Sequence, residues 1–143
     1  PTSDGLWARG PRERLRAVDI ATLPHPGFAT DFMPLAVALM TTADGSAIAT
    51  ENVYDGRFQF VDELARMGAD VRTEGRHAIV RGVERLSGAP VRASDVRAGA
   101  ALVLAGLVAE GETVVFDCEH VERGYSDLPA QLRALGADID RLE

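Results

Sequence analysis

Every basic side chain in this sequence is an arginine; there are 15 and no lysine. That excludes Schiff-base chemistry and the P-loop lysine. It leaves planar guanidinium forks suited to carboxylates and phosphates. Two carboxylates stand out beside them. Asp31 follows Thr30, Asp95 follows Ser94, and each pair opens an apolar stretch. Read from spacing alone, both are helix N-caps, favoured about three to one over any other role. The three histidines give no metal spacing. His25 lies in a Pro-rich loop, His77 in a predicted strand, and His120 matches Asn52 in the repeat described next, so structural roles are expected for all three. The lone Cys118 has no internal partner for a disulfide, which fits a reducing cytoplasm.

An internal repeat must position these residues. Glu63-Leu64-Ala65-Arg66-Met67-Gly68-Ala69-Asp70-Val71 matches Gln131-Leu132-Arg133-Ala134-Leu135-Gly136-Ala137-Asp138-Ile139. In the same order, Thr30-Asp31 matches Ser94-Asp95, Asp44-Gly45 matches Glu110-Gly111, Glu51-Asn52-Val53 matches Glu119-His120-Val121, and Gly56 matches Gly124. The chain is a duplicated supersecondary unit, with copies spanning roughly 15–85 and 86–143 of a single domain, 1–143.

Each copy reads β-α-β-α-β-β, the second stopping before its last strand. Strands are predicted over 16–20 and 90–93, then helices. The first helix carries Phe32, Leu35, Ala36, Leu39 and Met40 at helical spacing, which predicts an amphipathic stripe. The second, 96–109, is apolar or small all round and is expected to be the most buried element. Strands follow over 46–50 and 113–116, then shorter helices stopped by Gly68 and Gly136. A hairpin over 70–73 and 77–81, turned at Glu74-Gly75, completes the first copy, and a strand is expected after Gly136. A strand-like start is read over 5–9. The opening Pro1-Thr2-Ser3-Asp4 has no initiator Met and reads as a cut end.

Against this repeat three arginines are out of place. Arg57 aligns with Tyr125, Arg97 with Met33, and Arg123 with Asp55. The architecture requires none of them, so a ligand is the better explanation. Arg97 also falls in the first turn of an apolar helix, where unpaired N–H groups favour anions.

Four motifs carry a resemblance: Pro24-His25-Pro26-Gly27-Phe28-Ala29-Thr30-Asp31, Glu51-Asn52-Val53-Tyr54-Asp55-Gly56-Arg57-Phe58, Ser94-Asp95-Val96-Arg97-Ala98-Gly99-Ala100, and His120-Val121-Glu122-Arg123-Gly124-Tyr125. Together, from about Leu15 onward, the chain resembles the enolpyruvyl transferases, and among them those acting on UDP-N-acetylglucosamine. The resemblance implies an α+β fold, an α-β prism lobe whose repeated β-α-β-α-β-β units pack about a pseudo-threefold axis. It implies transfer of an enolpyruvyl group from phosphoenolpyruvate to the sugar 3-hydroxyl, a step of peptidoglycan synthesis, with no cofactor and no metal.

By the same resemblance Asp31 contacts that hydroxyl and is the candidate general base, with Asp95 a secondary catalytic candidate. Arg123 binds phosphoenolpyruvate, and Arg57 and Arg97 line the same cleft. Val53, through its backbone, and Tyr54 border the sugar-nucleotide. Tyr54 and Val96 stand where phenylalanine and leucine would be expected. An N-terminal lobe bearing a lysine, an arginine and a mobile cysteine loop is implied as a partner within the same polypeptide; Cys118 is not that cysteine. Without that lobe the chain is expected to be inactive, and its uncovered apolar surface to promote self-association. Two alternatives stay open: the sister enolpyruvyl transferase of the shikimate pathway, and a stand-alone non-catalytic module binding a ligand or partner.

The net charge of −7 argues against nucleic acid and anionic membranes as partners. The longest apolar run, 98–109, is too short to span a bilayer.

Overall fold

In the computed structural model the described residues are Gly5, Trp7, Arg9, Gly10 and 13–142; the strand-like start read over 5–9 falls partly outside them. Among these described residues thirteen elements follow one another. β1 is Ile20–Ala21, a 3-10 turn covers Thr30–Phe32, and α1 is Met33–Met40. β2 is Ser46–Thr50, a second 3-10 turn over Arg57–Phe60 leads into α2, Val61–Arg66, and β3 Asp70–Glu74 and β4 His77–Arg81 close the first unit. The second unit has β5 Pro90–Arg92, α3 Val96–Val108, β6 Val114–Phe116, α4 Glu119–Glu122 and α5 Leu128–Ala134.

The duplication is visible in the hydrogen bonding. In each unit a helix crosses between two parallel strands, β1 with β2 and β5 with β6. Asp44 N donates to Leu15 O, and Glu110 N to Leu86 O; Thr22 N donates to Thr50 O, and Ala93 N to Phe116 O. Gly68 and Gly136 both hold positive φ, 84° and 96°, the left-handed conformation that ends a helix without a Cβ clash.

The units differ in completeness. The first has a four-stranded sheet in the order β1-β2-β4-β3, and the second only the pair β5-β6. Glu74 pairs with His77, so the hairpin turns at Gly75-Arg76, one residue later than expected. The strand expected after Gly136 is not formed, and 137–142 are irregular. A strand needs a neighbour for its N–H and C=O groups, and β6 pairs with β5 alone.

One core joins the units. Met33, Val37, Phe60, Leu64, Met67 and Val80 of the first unit pack in the same buried cluster as Leu86, Val91, Ala98, Ala101, Leu102 and Ala105 of the second. α3 buries Ala98 to Val103 and Ala105, more residues than any other element, yet Leu104 and Val108 are exposed. α1 is set differently from the expected stripe. Met33, Pro34, Val37, Ala38 and Met40 are buried, whereas Phe32 and Leu39 are half exposed. The helix reads Met-Pro-Leu-Ala-Val-Ala-Leu-Met, apolar on every face, so periodicity could not choose the side that meets α3.

Among the described residues no helix is long and apolar enough to cross a membrane.

Candidate active site

The two duplicated carboxylates do different work. Asp95 is the N-cap of α3, with extended backbone, and its Oδ1 accepts from Arg97 N at 2.8 Å and Ala98 N at 3.0 Å. Asp31 caps nothing. It lies inside the 3-10 turn, which has no side-chain cap, and α1 begins only after Phe32. Its carboxylate turns outward, half exposed, to two guanidiniums: Arg57 Nη2 at 3.3 Å and Arg97 Nη2 at 3.4 Å. The cap read from spacing is therefore present at Asp95 and absent at Asp31, because the extra turn moves Asp31 off the helix start.

The two arginines come from different units. Arg57 begins the 3-10 turn after β2; its side chain is only 9% exposed. Nε donates to Thr30 Oγ1 at 3.2 Å, and the guanidinium carbon sits 4.4 Å from the Tyr54 ring centroid, a cation–π distance. Such a fork is already oriented and loses little freedom on meeting a ligand. Arg97 reaches Asp31 from the first turn of α3, and its guanidinium lies 5.8 Å from the Tyr125 ring. Gly124 makes that approach possible: a Cβ there would collide with Val96 Cγ1 and come within 3.2 Å of Arg97 Nη1. Gly124 and Tyr125 of the fourth motif thus shape the Arg97 pocket.

Val53 and Tyr54 sit on the loop after β2, about half exposed. Their N–H groups both donate to Glu51 Oε1, at 2.8 and 3.0 Å. With that N–H occupied, the Val53 carbonyl is the backbone group left to meet a ligand. Arg123 follows α4 and is exposed; its backbone N–H caps that helix by donating to Val121 O, and its side chain has no hydrogen bond or ion pair among the described residues. The structure thus brings Asp31, Arg57, Arg97 and Tyr54 together, fixes Asp95 one turn behind them, and leaves Arg123 unengaged.

Glu51 and Thr30 are what the sequence reading missed. Glu51 is 5% exposed and accepts from Thr22 Oγ1 at 2.6 Å, Thr30 Oγ1 at 2.8 Å and the two loop N–H groups. Burial alone would raise its pKa. The bonds from Thr22, Val53, Thr30 and Tyr54 outweigh it and hold the carboxyl below its usual range. The signal was the match to Glu119, which made Glu51 look like part of the repeat. In the structure Glu119 lies exposed in the first turn of α4.

A cavity of about 380 Å³ opens beside this cluster, lined in part by Glu51, Tyr54, Asp55 and Arg57. A slightly larger one, about 440 Å³, lies between α3, β6, α4 and α5; apolar side chains and the acids Asp117, Glu119, Glu122 and Asp140 line it, with none of Asp31, Arg57 or Arg97. Size does not make it the site; anion chemistry needs the guanidiniums. Cys118 borders it, its thiol donating to Val115 O at 3.0 Å. Desolvation, then the Glu122 and Glu119 carboxylates, push its pKa up, so the thiolate needed for nucleophilic chemistry is disfavoured. Among the described residues no group of three or more His, Cys, Asp or Glu is placed to hold a metal.

Comparison with known proteins places this geometry in a family. Residues 2–132 match the family model described as EPSP synthase (3-phosphoshikimate 1-carboxyvinyltransferase). The UDP-N-acetylglucosamine 1-carboxyvinyltransferase of Corynebacterium jeikeium is 55% identical over 92% of this chain and 31% of its own length. That of Mycobacterium tuberculosis is 57% identical over 91% and 31%. The chain therefore spans about a third of the length of these relatives. Among solved structures, the enolpyruvyl transferase NikO from Streptomyces tendae superposes with a TM-score of 0.81 at 33% identity, over 90% of this chain and 30% of that one. An EPSP synthase from Acinetobacter baumannii gives 0.60 at 25% identity, over 78% of this chain and 26% of that one. With its repeat, its fold and its arginine–carboxylate cluster, the chain belongs to the EPSP synthase family of enolpyruvyl transferases.

Proposed function

We propose that this chain forms one wall of the active site of a UDP-N-acetylglucosamine enolpyruvyl transferase, the remaining wall being supplied by the rest of a longer, two-lobed polypeptide. The observation that carries it is the half-exposed Asp31 carboxylate held between guanidiniums from both repeat units. The reaction needs a group to take a proton from a sugar hydroxyl and cations to hold a phosphate and a carboxylate. The cluster offers both.

In this reading the sugar 3-hydroxyl lies against Asp31, and phosphoenolpyruvate lies across Arg123 and the neighbouring guanidiniums. The sugar oxygen bonds to the enol carbon that carries the phosphate, the bond from that carbon to the phosphate oxygen breaks, and Asp31 accepts the hydroxyl proton. Phosphate leaves as the anion against the arginines, which stabilise its charge. The Val53 carbonyl and Tyr54 border the sugar-nucleotide. Asp95 acts through Arg97, by fixing the helix turn that carries it. Both substrates must be oriented by walls on two sides, so this chain alone is inert. The unpaired Cys118 suits a cytoplasmic setting.

The relatives support the sugar-nucleotide over the shikimate substrate: those 55–57% identical carry the UDP-N-acetylglucosamine name, while the EPSP synthase structure is 25% identical. Phosphate release by the full-length polypeptide tests this. Release is expected with phosphoenolpyruvate plus UDP-N-acetylglucosamine and none with phosphoenolpyruvate plus 3-phosphoshikimate. The opposite pattern assigns the sister reaction, and release with neither acceptor leaves only a binding module.

A further inference from the structure

Glu51 is the one ionisable side chain found buried among the described residues, and no step above uses it. A buried carboxylate is expensive unless fully hydrogen-bonded, so its placement needs a reason. Architecture does not supply one. The second unit makes the same β-α-β crossover with Ala93 at the position of Thr22, each donating its N–H to the end of the partner strand. Its acids go elsewhere: Asp117 pairs with Arg92 at 2.9 Å on the surface, and Glu119 is exposed. The fold is thus built once with a buried acid and once without.

In the first unit the acid ties together three segments that reach the site. Thr22 comes from the end of β1, Thr30 from the turn bearing Asp31, and Val53 and Tyr54 from the loop bordering the cavity. Thr22 Oγ1 also accepts from Asn52 N at 2.8 Å, closing the loop on itself. Thr30 is the relay. A carboxylate only accepts, so the Thr30 hydroxyl hydrogen is committed to Glu51 Oε2, and its lone pairs are left for Arg57 Nε. That polarity aims the Arg57 fork at Asp31. A glutamine would place an amide N–H against Thr30 or a loop N–H and leave a buried donor unpaired.

We propose that Glu51 is a positioning residue, which through Thr30 and the Val53–Tyr54 backbone sets the geometry in which Arg57, Asp31 and the Val53 carbonyl meet the substrates. It rests on the transferase reading above, and the test separates the two. In the full-length polypeptide, phosphate release and melting temperature are measured for wild type, Glu51→Gln, Thr30→Val and Thr30→Ser. A wild type inert with both acceptors overturns the transferase reading itself. With an active wild type, Glu51→Gln is expected to lower kcat/KM, per folded enzyme, by at least about tenfold, with a raised KM for UDP-N-acetylglucosamine. Thr30→Val, which keeps the buried acid and its backbone bonds, is expected to lose about tenfold, and Thr30→Ser to recover most of it. A Glu51→Gln enzyme that melts earlier but keeps kcat/KM within about twofold shows a purely structural acid and overturns the proposal. Should Glu51→Gln not fold, a Thr30→Val enzyme within about twofold of wild type overturns it equally.

Discussion

The two repeat units start from matching residues and reach different ends. In the second, Ser94-Asp95 leads directly from β5 into α3, and the Asp95 carboxylate is spent on two backbone N–H groups. In the first, the Pro-rich loop and a 3-10 turn stand between β1 and α1, and Asp31 is left facing two arginines. Buried polarity divides the same way: Thr22 and Glu51 in the first unit, Ala93 in the second. Duplication supplies a scaffold, and the proposed site chemistry falls where one copy has departed from it.

This comparison can be broken in several places. The largest effect is expected from the chain alone, which in the proposed reading carries a single wall. It should release no detectable phosphate from phosphoenolpyruvate and UDP-N-acetylglucosamine. It should also associate, since Leu39, Leu104 and Val108 are exposed on the helices. Turnover by a monodisperse monomer, followed by phosphate assay and light scattering, would remove the need for a second wall. Next, Arg123→Ala in the full-length polypeptide should raise the KM for phosphoenolpyruvate about tenfold or more, because a charge-assisted contact is lost. An unchanged KM would place phosphoenolpyruvate elsewhere.

Smaller effects probe the second unit. Asp95→Ala should cost about 1 kcal/mol of stability through the lost cap, read by denaturant unfolding, whereas Asp31→Ala should leave stability nearly unchanged. Equal losses would erase the distinction between them. The smallest expected effect concerns acid. Glu51 has its pKa depressed in the folded chain. Its contribution is therefore fully present above the ordinary carboxylate range and is lost as pH falls through that range toward the lower folded value. The groups facing it are the Thr22 and Thr30 hydroxyls and the Val53 and Tyr54 N–H groups, with Arg57 reached through Thr30. Glu51→Gln should flatten that part of the stability–pH curve; an unaltered curve would mean the carboxyl is not held in its charged form.

Much of this was legible in the sequence. The repeat gave the order of elements, and β2, β4 and the body of α3 fall where expected. Arg57 and Arg97, singled out because they break the repeat, are brought to one carboxylate. What escaped has identifiable causes. The side of α1 that faces the core was set by packing against α3, which a helix apolar all round does not encode. Asp31 and Asp95 could not be told apart by type or neighbour, because the difference is a 3-10 turn. Glu51 was concealed by its resemblance to Glu119, and only three-dimensional contacts reveal that Thr22 and Thr30, distant in sequence, converge on it. The strand after Gly136 lacks a pairing neighbour, which sequence periodicity does not register.

The central claim is that Asp31 takes part in chemistry while its duplicate holds a helix. The most direct test is turnover of full-length Asp31→Ala and Asp95→Ala with phosphoenolpyruvate and UDP-N-acetylglucosamine, each corrected for folded fraction. Asp31→Ala is expected to lose at least ~10²-fold in kcat, the scale for a positioned general base, and Asp95→Ala considerably less. Near-normal turnover by Asp31→Ala would contradict the account and reduce the Asp31–Arg57–Arg97 cluster to a surface ion-pair network.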